Sequence, residues 1–176
     1  MSSTSKLDGM GDAVPKVCAA EPSAFSPLEI DDFVALVLAG GEVTPDGLRA
    51  RVMRAAHIAF LRENDCLLGV GGLKKPSNNH RREIELGAKV TLGAETVPFE
   101  LGWVFILPSA RNRKQSFPLC RALVSATNGM GTFATSRSGN EGMHRTLTKL
   151  GFSRVGSEWP SRQNDDNLML FLKNAV

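Results

Sequence analysis

Residues 99–127 set the frame around which the rest of the chain is organised. Phe99 to Leu107 is a mostly apolar run that Pro108 stops. Ser109-Ala110-Arg111-Asn112-Arg113-Lys114-Gln115-Ser116 follows, and then Cys120, Leu123, Val124 and Thr127 recur at i, i+3, i+4 and i+7. That order reads as a buried strand, a basic loop and a helix N-terminus, with Ser116 as the cap. Such a loop presents free backbone N–H groups and positive charge together, which suits an anion such as a phosphate. Three cations within four residues add Coulombic attraction. The competing reading is a solvated basic turn.

The remaining elements fall on either side. Residues 1–13 are rich in Ser, Gly, Asp and Lys with almost nothing to bury, which marks a flexible leader ahead of one domain spanning 14–176. Val14–Ala19 reads as a short strand interrupted by Pro15. Ser26-Pro27-Leu28-Glu29 is a helix start with Ile30, Phe33, Val34 and Val37 behind it, closed by Gly40-Gly41. Thr44-Pro45-Asp46 opens a second helix striped by Leu48, Val52 and Ala55. Ile58–Leu61 and Cys66–Val70 form a hairpin across Glu63-Asn64-Asp65. Ile84, Leu86, Ala88, Val90 and Leu92 alternate with polar or small residues, which predicts a strand with one wet face.

After the central stretch, Gly131–Thr135 reads as a short strand. Asn140 caps a helix with Met143, Leu147 and Leu150 inward and Gly151 at its end. Phe152–Trp159 and Asn167–Lys173 are the final strands. The pattern is α+β: a mixed, mostly antiparallel central sheet flanked by about four helices.

Composition excludes little but points one way. The chain has 176 residues, 42% hydrophobic and 22% charged, ordinary for one globular domain. A net charge of +3 is too small to argue for nucleic acid. The clusters Lys74-Lys75 and His80-Arg81-Arg82 read as solvated loop surface. Cys18, Cys66 and Cys120 form no Cys-x-x-Cys pair, so neither a disulfide framework nor a metal site is indicated, and a cytoplasmic setting is the default. No apolar run reaches the ~20 residues a membrane helix needs. Tyr is absent.

Two segments carry a resemblance. Val104-Phe105-Ile106-Leu107-Pro108-Ser109-Ala110-Arg111-Asn112-Arg113-Lys114-Gln115-Ser116 is similar to the strand and pyrophosphate loop, Arg/Gln-x-x-Gly-x-Gly/Ala, of the GNAT superfamily of acyl-coenzyme A N-acyltransferases. Asn140-Glu141-Gly142-Met143-His144-Arg145-Thr146-Leu147-Thr148-Lys149-Leu150-Gly151-Phe152 resembles that family's Asn-capped helix ending in Lys-x-Gly-Phe. With flanking elements the resemblance covers roughly residues 14–173. Lys114 and Ser116 stand where Gly and Gly/Ala are usual; Lys114 is acceptable if its backbone stays out of the left-handed region. Leu147 stands where the family often has a proton-donating Tyr.

The resemblance implies a sheet that splays after the Phe99–Leu107 strand. Acetyl-coenzyme A, the implied co-substrate, would lay its pantetheine arm along Phe105 and Ile106 like an added strand. Arg111, Asn112, Arg113, Lys114, Gln115 and Ser116 would hold its pyrophosphate, with Asn140 and Met143 beside the arm. No metal is implied. A primary amine then attacks the thioester directly, and with an amine pKa near ~10.4 a base must first take a proton. Glu100 is the candidate base. Strand parity puts it on one face with Gly102, Val104 and Ile106, and up to about 20 Å from Ile106, so it acts through water or a bent strand. A backbone N–H near Ile106 would meet the tetrahedral oxygen. Ser136, Ser138 and His144 are stand-in proton donors, although Met143 and Leu147 claim the buried face beside His144.

The leading reading is an N-acetyltransferase for an amine on a small molecule or a protein, with a homodimer allowed. A non-catalytic acyl-coenzyme A domain on the same fold is the second. A nucleic-acid-binding or nucleic-acid-modifying domain is the third, carried only by the basic clusters. The acceptor pocket is expected from the two early helices, the His80 loop and the last strand pair.

Overall fold

Ser26 opens the first helix through reciprocal bonds that its sequence predicts. In the computed structural model, which describes residues 14–176, Ser26 Oγ accepts from the Glu29 N–H at 3.3 Å and Glu29 Oε2 accepts from the Ser26 N–H at 2.9 Å. Such a capping box contributes on the order of 1 kcal/mol to a helix start. The leader expected over residues 1–13 lies outside the described residues. Strand β1 (Lys16–Ala20) precedes helix α1 (Pro27–Ala39). The second helix, α2 (Leu48–Met53), starts later than Thr44-Pro45-Asp46 suggested. Gly47 is its N-cap, in the left-handed region at φ 66°, and Arg51 donates to the Thr44 and Asp46 carbonyls, holding that segment as a loop.

Strands β2 (His57–Glu63) and β3 (Cys66–Lys74) form the expected hairpin, with Asn64 and Asp65 at φ 48° and 64° in its turn. The strand expected over Ile84–Leu92 is instead helix α3 (Asn78–Ala88) followed by a loop to residue 98. Ser77 Oγ accepts from the His80 N–H and caps it. Arg81, Ile84 and Ala88 are the buried face at helical spacing, and Leu86, which the alternation required to be inward, is 71% exposed. Lys89 closes the helix in the left-handed region.

The rest follows as β4 (Phe99–Ile106), α4 (Ser116–Ser125), β5 (Thr132–Arg137), α5 (Glu141–Lys149), β6 (Ser153–Pro160) and β7 (Asn167–Lys173). Asn140 Oδ1 accepts from the Met143 N–H and Gly151 takes φ 87°, as the sequence predicts. Ser116 is the first residue of α4 rather than its cap; its Oγ lies 3.0 Å from Thr146 Oγ1 and ties α4 to α5.

The sheet order is β1-β2-β3-β4-β5-β7-β6, antiparallel except for the parallel β4–β5 pair. Helix α1, helix α2 and then α3 cover one face; α4 and α5 cover the other. Alternation along the strands divides the core accordingly. Ile58, Phe60 and Val70 pack with Ile30, Phe33, Val37, Leu48 and Val52, whereas Ala59, Leu61, Leu73 and Leu101 pack with Leu119, Leu123 and Leu147. On the β5–β7 half, Phe133 and Leu170 meet Ile84 and Ala88 of α3. Among the described residues no helix is long and apolar enough to cross a membrane.

Candidate active site

Strands β4 and β5 pair only at Phe99–Thr132 and Glu100–Phe133. Beyond Glu100 they part, and the opening is continuous with a cleft of about 1670 Å³. Its walls come from the α1–α2 segment (Glu42, Thr44, Arg54), from α3 (His80, Glu83, Gly87), and from the β6–β7 region (Trp159, Arg162, Gln163). These are the elements from which the acceptor pocket was expected. Its floor is β4 itself, Glu100 to Ile106.

A bulge in β4 decides which side chains reach that floor. Gly72 pairs with Gly102 and Val70 with Phe105, so Gly71 faces two residues, and Trp103 takes φ 53° to absorb the extra one. A left-handed tryptophan costs on the order of 1–3 kcal/mol, sustained here by packing. Its ring meets Phe33 edge-on at 6.1 Å and lies 5.4 Å beneath the Lys74 ammonium. The bulge also resets the parity. Trp103 and Phe105 pack on the α1 side, while Leu101, Val104 and Ile106 pack on the α4 side. Glu100 therefore shares its face with Gly102 and Trp103, not with Val104 and Ile106 as simple alternation gave.

Glu100 is 2% exposed and doubly paired. Lys74 Nζ lies 2.7 Å from Oε1 and His80 Nε2 lies 2.9 Å from Oε2. Burial alone pushes its pKa up; the Lys74 charge, then the His80 hydrogen bond and charge, outweigh burial and hold it at about 2, against an ordinary 4.5. At neutral pH Glu100 is a fixed anion. The two basic clusters read as solvated surface are divided by this arrangement: Lys75 and Arg82 are exposed, Lys74 and His80 are half-buried, and Arg81 is buried. The Arg81 guanidinium donates to the Leu92 and Val97 carbonyls at 3.3 and 2.8 Å and pins the loop after α3. No periodicity signalled Lys74, His80 or Trp103. The usable clue was Ser77 as a helix cap, which puts His80 on the first turn.

At the other end of the opening, β4 runs through a 3₁₀ turn, Pro108–Ala110, into the basic loop and α4. Asn112 and Lys114 both take positive φ, 62° and 57°. Lys114 thus lies in the left-handed region, so the condition on which it was acceptable in place of glycine is not met. The N–H groups of Asn112, Lys114 and Gln115 carry no hydrogen bond among the described residues. Successive left- and right-handed residues with open N–H groups make an anion-sized concavity ahead of the α4 dipole. The loop's charge is partly committed: Arg111 Nε donates to the Ile106 carbonyl at 3.0 Å, and Arg113 pairs with Glu63 at 2.6 Å.

Of the ten residues expected at the coenzyme, Phe105, Ile106, Arg111, Asn112, Ser116, Asn140 and Met143 line the cleft. Arg113, Lys114 and Gln115 do not. Glu100 lines it as well, and Ser136 does so on β5. Ser138 and His144 lie off its walls. Ser138 Oγ donates to Asp166 Oδ1 at 2.6 Å and fixes the β6–β7 loop, while His144 Nε2 lies 3.0 Å from the Arg137 carbonyl with its ring 5.0 Å from Phe171. Leu147, the residue expected where a proton-donating Tyr was looked for, is fully buried in the core.

No family model matches the chain, and no curated protein matches its sequence. Solved structures do match its architecture. The ribosomal-protein-S18-alanine N-acetyltransferase of Escherichia coli aligns over 93% of this chain and 95% of its own, with a TM-score of 0.62 at 10% identity. Arabidopsis thaliana NAA60, solved with a bisubstrate analogue, aligns over 90% and 98%, at 0.62 and 12% identity. The protein yncA of Salmonella typhimurium, solved with its cofactor acetyl-coenzyme A, aligns over 92% and 94%, at 0.63 and 15% identity. At these identities the likeness establishes architecture: the chain has the GNAT fold.

Proposed function

We propose that residues 14–176 form one catalytic domain that moves an acetyl group from acetyl-coenzyme A to a primary amine of a small molecule or protein by direct attack on the thioester. The observation that carries this is the parting of β4 from β5 beyond Glu100, in a cleft that also reaches Arg111, Asn112 and Ser116 of the loop ahead of α4. An extended amide-bearing arm fits the first feature and a pyrophosphate the second. The cleft floor accepts the arm along Phe105 and Ile106, and Asn140 and Met143 border it. The thiolate leaving group needs little acid assistance, with thiol pKa values near ~8.5, so the buried Leu147 does not block transfer.

Calorimetry with acetyl-coenzyme A, followed by thiol release against a panel of primary amines, tests this. Saturable binding with amine-dependent thiol release is expected; no binding overturns the reading. A second reading, a non-catalytic acyl-coenzyme A domain, is favoured by Leu147 and by Glu100 being ionised at neutral pH. It predicts binding with no turnover of any amine. A nucleic-acid role rests on the basic clusters alone, and among them Arg113 is paired with Glu63 and Arg81 with the Leu92 and Val97 carbonyls.

A further inference from the structure

An ionised carboxylate can only accept hydrogen bonds. Glu100 accepts from Lys74 at Oε1 and contacts His80 at Oε2, so the imidazole must carry its hydrogen on Nε2. That choice leaves the lone pair on His80 Nδ1, which has no protein partner among the described residues. The side chain is 43% exposed and lies on the cleft wall next to the point where β4 and β5 part. Ser77 Oγ accepts from the His80 backbone N–H and fixes the helix turn that carries the residue, and Glu100 holds the ring at Nε2. Buried carboxylate, oriented imidazole and an accessible ring nitrogen together make a proton acceptor, by the logic of the acid–histidine pairs of hydrolases.

We propose that His80 takes the proton from the acceptor amine, and that Glu100 is a positioning residue rather than the base. This rests on the acyl-transfer reading above. The acceptor ammonium gives one N–H proton to His80 Nδ1. The freed electron pair forms the C–N bond at the thioester carbonyl carbon, and the C–S bond breaks with its electrons on sulfur. The thiolate takes the second amine proton as the amide forms, and the imidazolium returns its proton to solvent. The charged groups around the ring are Glu100 on β4, Lys74 at the end of β3, and on α3 Glu83, which is paired with Arg162 of the β6–β7 loop at 3.0 Å. Arg81, the neighbour in sequence, is turned away onto the Leu92 and Val97 carbonyls.

The test uses the full chain in two arms. In the first, ¹⁵N spectra of the imidazoles above neutral pH are expected to show His80 as the Nε2–H tautomer, losing that preference in Glu100→Gln; an Nδ1–H tautomer in the unaltered protein overturns the proposal. In the second, thiol release from acetyl-coenzyme A is followed with an α-amino ester, a lysine peptide and a polyamine. His80→Gln is expected to lower kcat/KM at least about a hundredfold. It should also remove the acidic limb of the pH profile and leave the calorimetric affinity for acetyl-coenzyme A within twofold. Added imidazole is expected to restore part of the rate in His80→Gly. Unaltered protein that turns over amine while His80→Gln keeps its rate and pH profile sinks the His80 assignment and leaves the transfer reading standing. Unaltered protein that binds acetyl-coenzyme A and releases no thiol with any probe sinks both.

Discussion

Lys74 and Glu100 are direct partners in the β3–β4 register, and their side chains close to 2.7 Å over the sheet. The ion pair is therefore held by the ladder itself, and its loss is felt in the fold as well as in the site.

Acid stability should report this pair. The folded Glu100 pKa of about 2 lies below its ordinary 4.5. Below about pH 4.5 the unfolded chain binds a proton that the folded chain refuses. Stability is thus full above that value and drains away as pH falls toward 2, by on the order of 3 kcal/mol. Urea unfolding across that window measures it. Glu100→Gln is expected to flatten this limb and to lower stability at neutral pH, since Lys74 is left without its partner.

Arg111→Glu is expected to weaken acetyl-coenzyme A binding at least tenfold, on the order of 1.4 kcal/mol, by placing an anion where the pyrophosphate is proposed to sit. The melting temperature should stay near that of the unaltered protein, because the side chain is exposed. An unchanged titration removes the loop from the coenzyme site.

Lys114→Gly tests the loop's backbone separately. Lys114 holds φ 57° without glycine's freedom. Relieving it is expected to raise stability by about 1 kcal/mol in thermal or urea melts. A loss of stability would mean that the Lys114 side chain contributes more than its backbone costs.

The three cysteines should divide two to one toward a thiol reagent. Cys18 and Cys66 are exposed, whereas Cys120 is buried and burial pushes its pKa up to about 12. Mass spectrometry of briefly alkylated native protein is expected to show two labels, and the third only after denaturation.

Gly72→Ala should disturb the cleft from beneath. A methyl there would lie 2.6 Å from the Trp103 ring. The expected cost is about 1–3 kcal/mol, with a shift in tryptophan fluorescence as Trp103 leaves Phe33.

How far the sequence could be read depended on whether a local rule acted alone. Ser26 with Glu29, Asn140 with Met143, and Gly151 each settle a helix end by chemistry within four residues, and each end falls where the sequence puts it. Residues 84–92 satisfied two periods at once. Ile84 and Ala88 fit a strand or a helix, and only Arg81, an unexpected member of the buried face, separates them. Trp103 hid the cleft floor for a similar reason: one inserted residue exchanges the two faces of a strand, and nothing in Gly102-Trp103-Val104 announces it. Glu100 was legible as a carboxylate at the right place. Its state was not, because Lys74 and His80 reach it through sheet register and a helix that reads as a strand.

The parting of β4 from β5 leaves an open sheet edge inside the molecule, flanked by the cleft instead of by a neighbouring strand. Unfilled backbone of that kind invites foreign strands. Whatever occupies the slot becomes part of the folding equilibrium, adding RT ln(1 + [L]/Kd) to the native state. With the proposed acetyl-coenzyme A in the slot, cellular abundance of this protein should follow the supply of that thioester, and purification that strips it should yield the more aggregation-prone form.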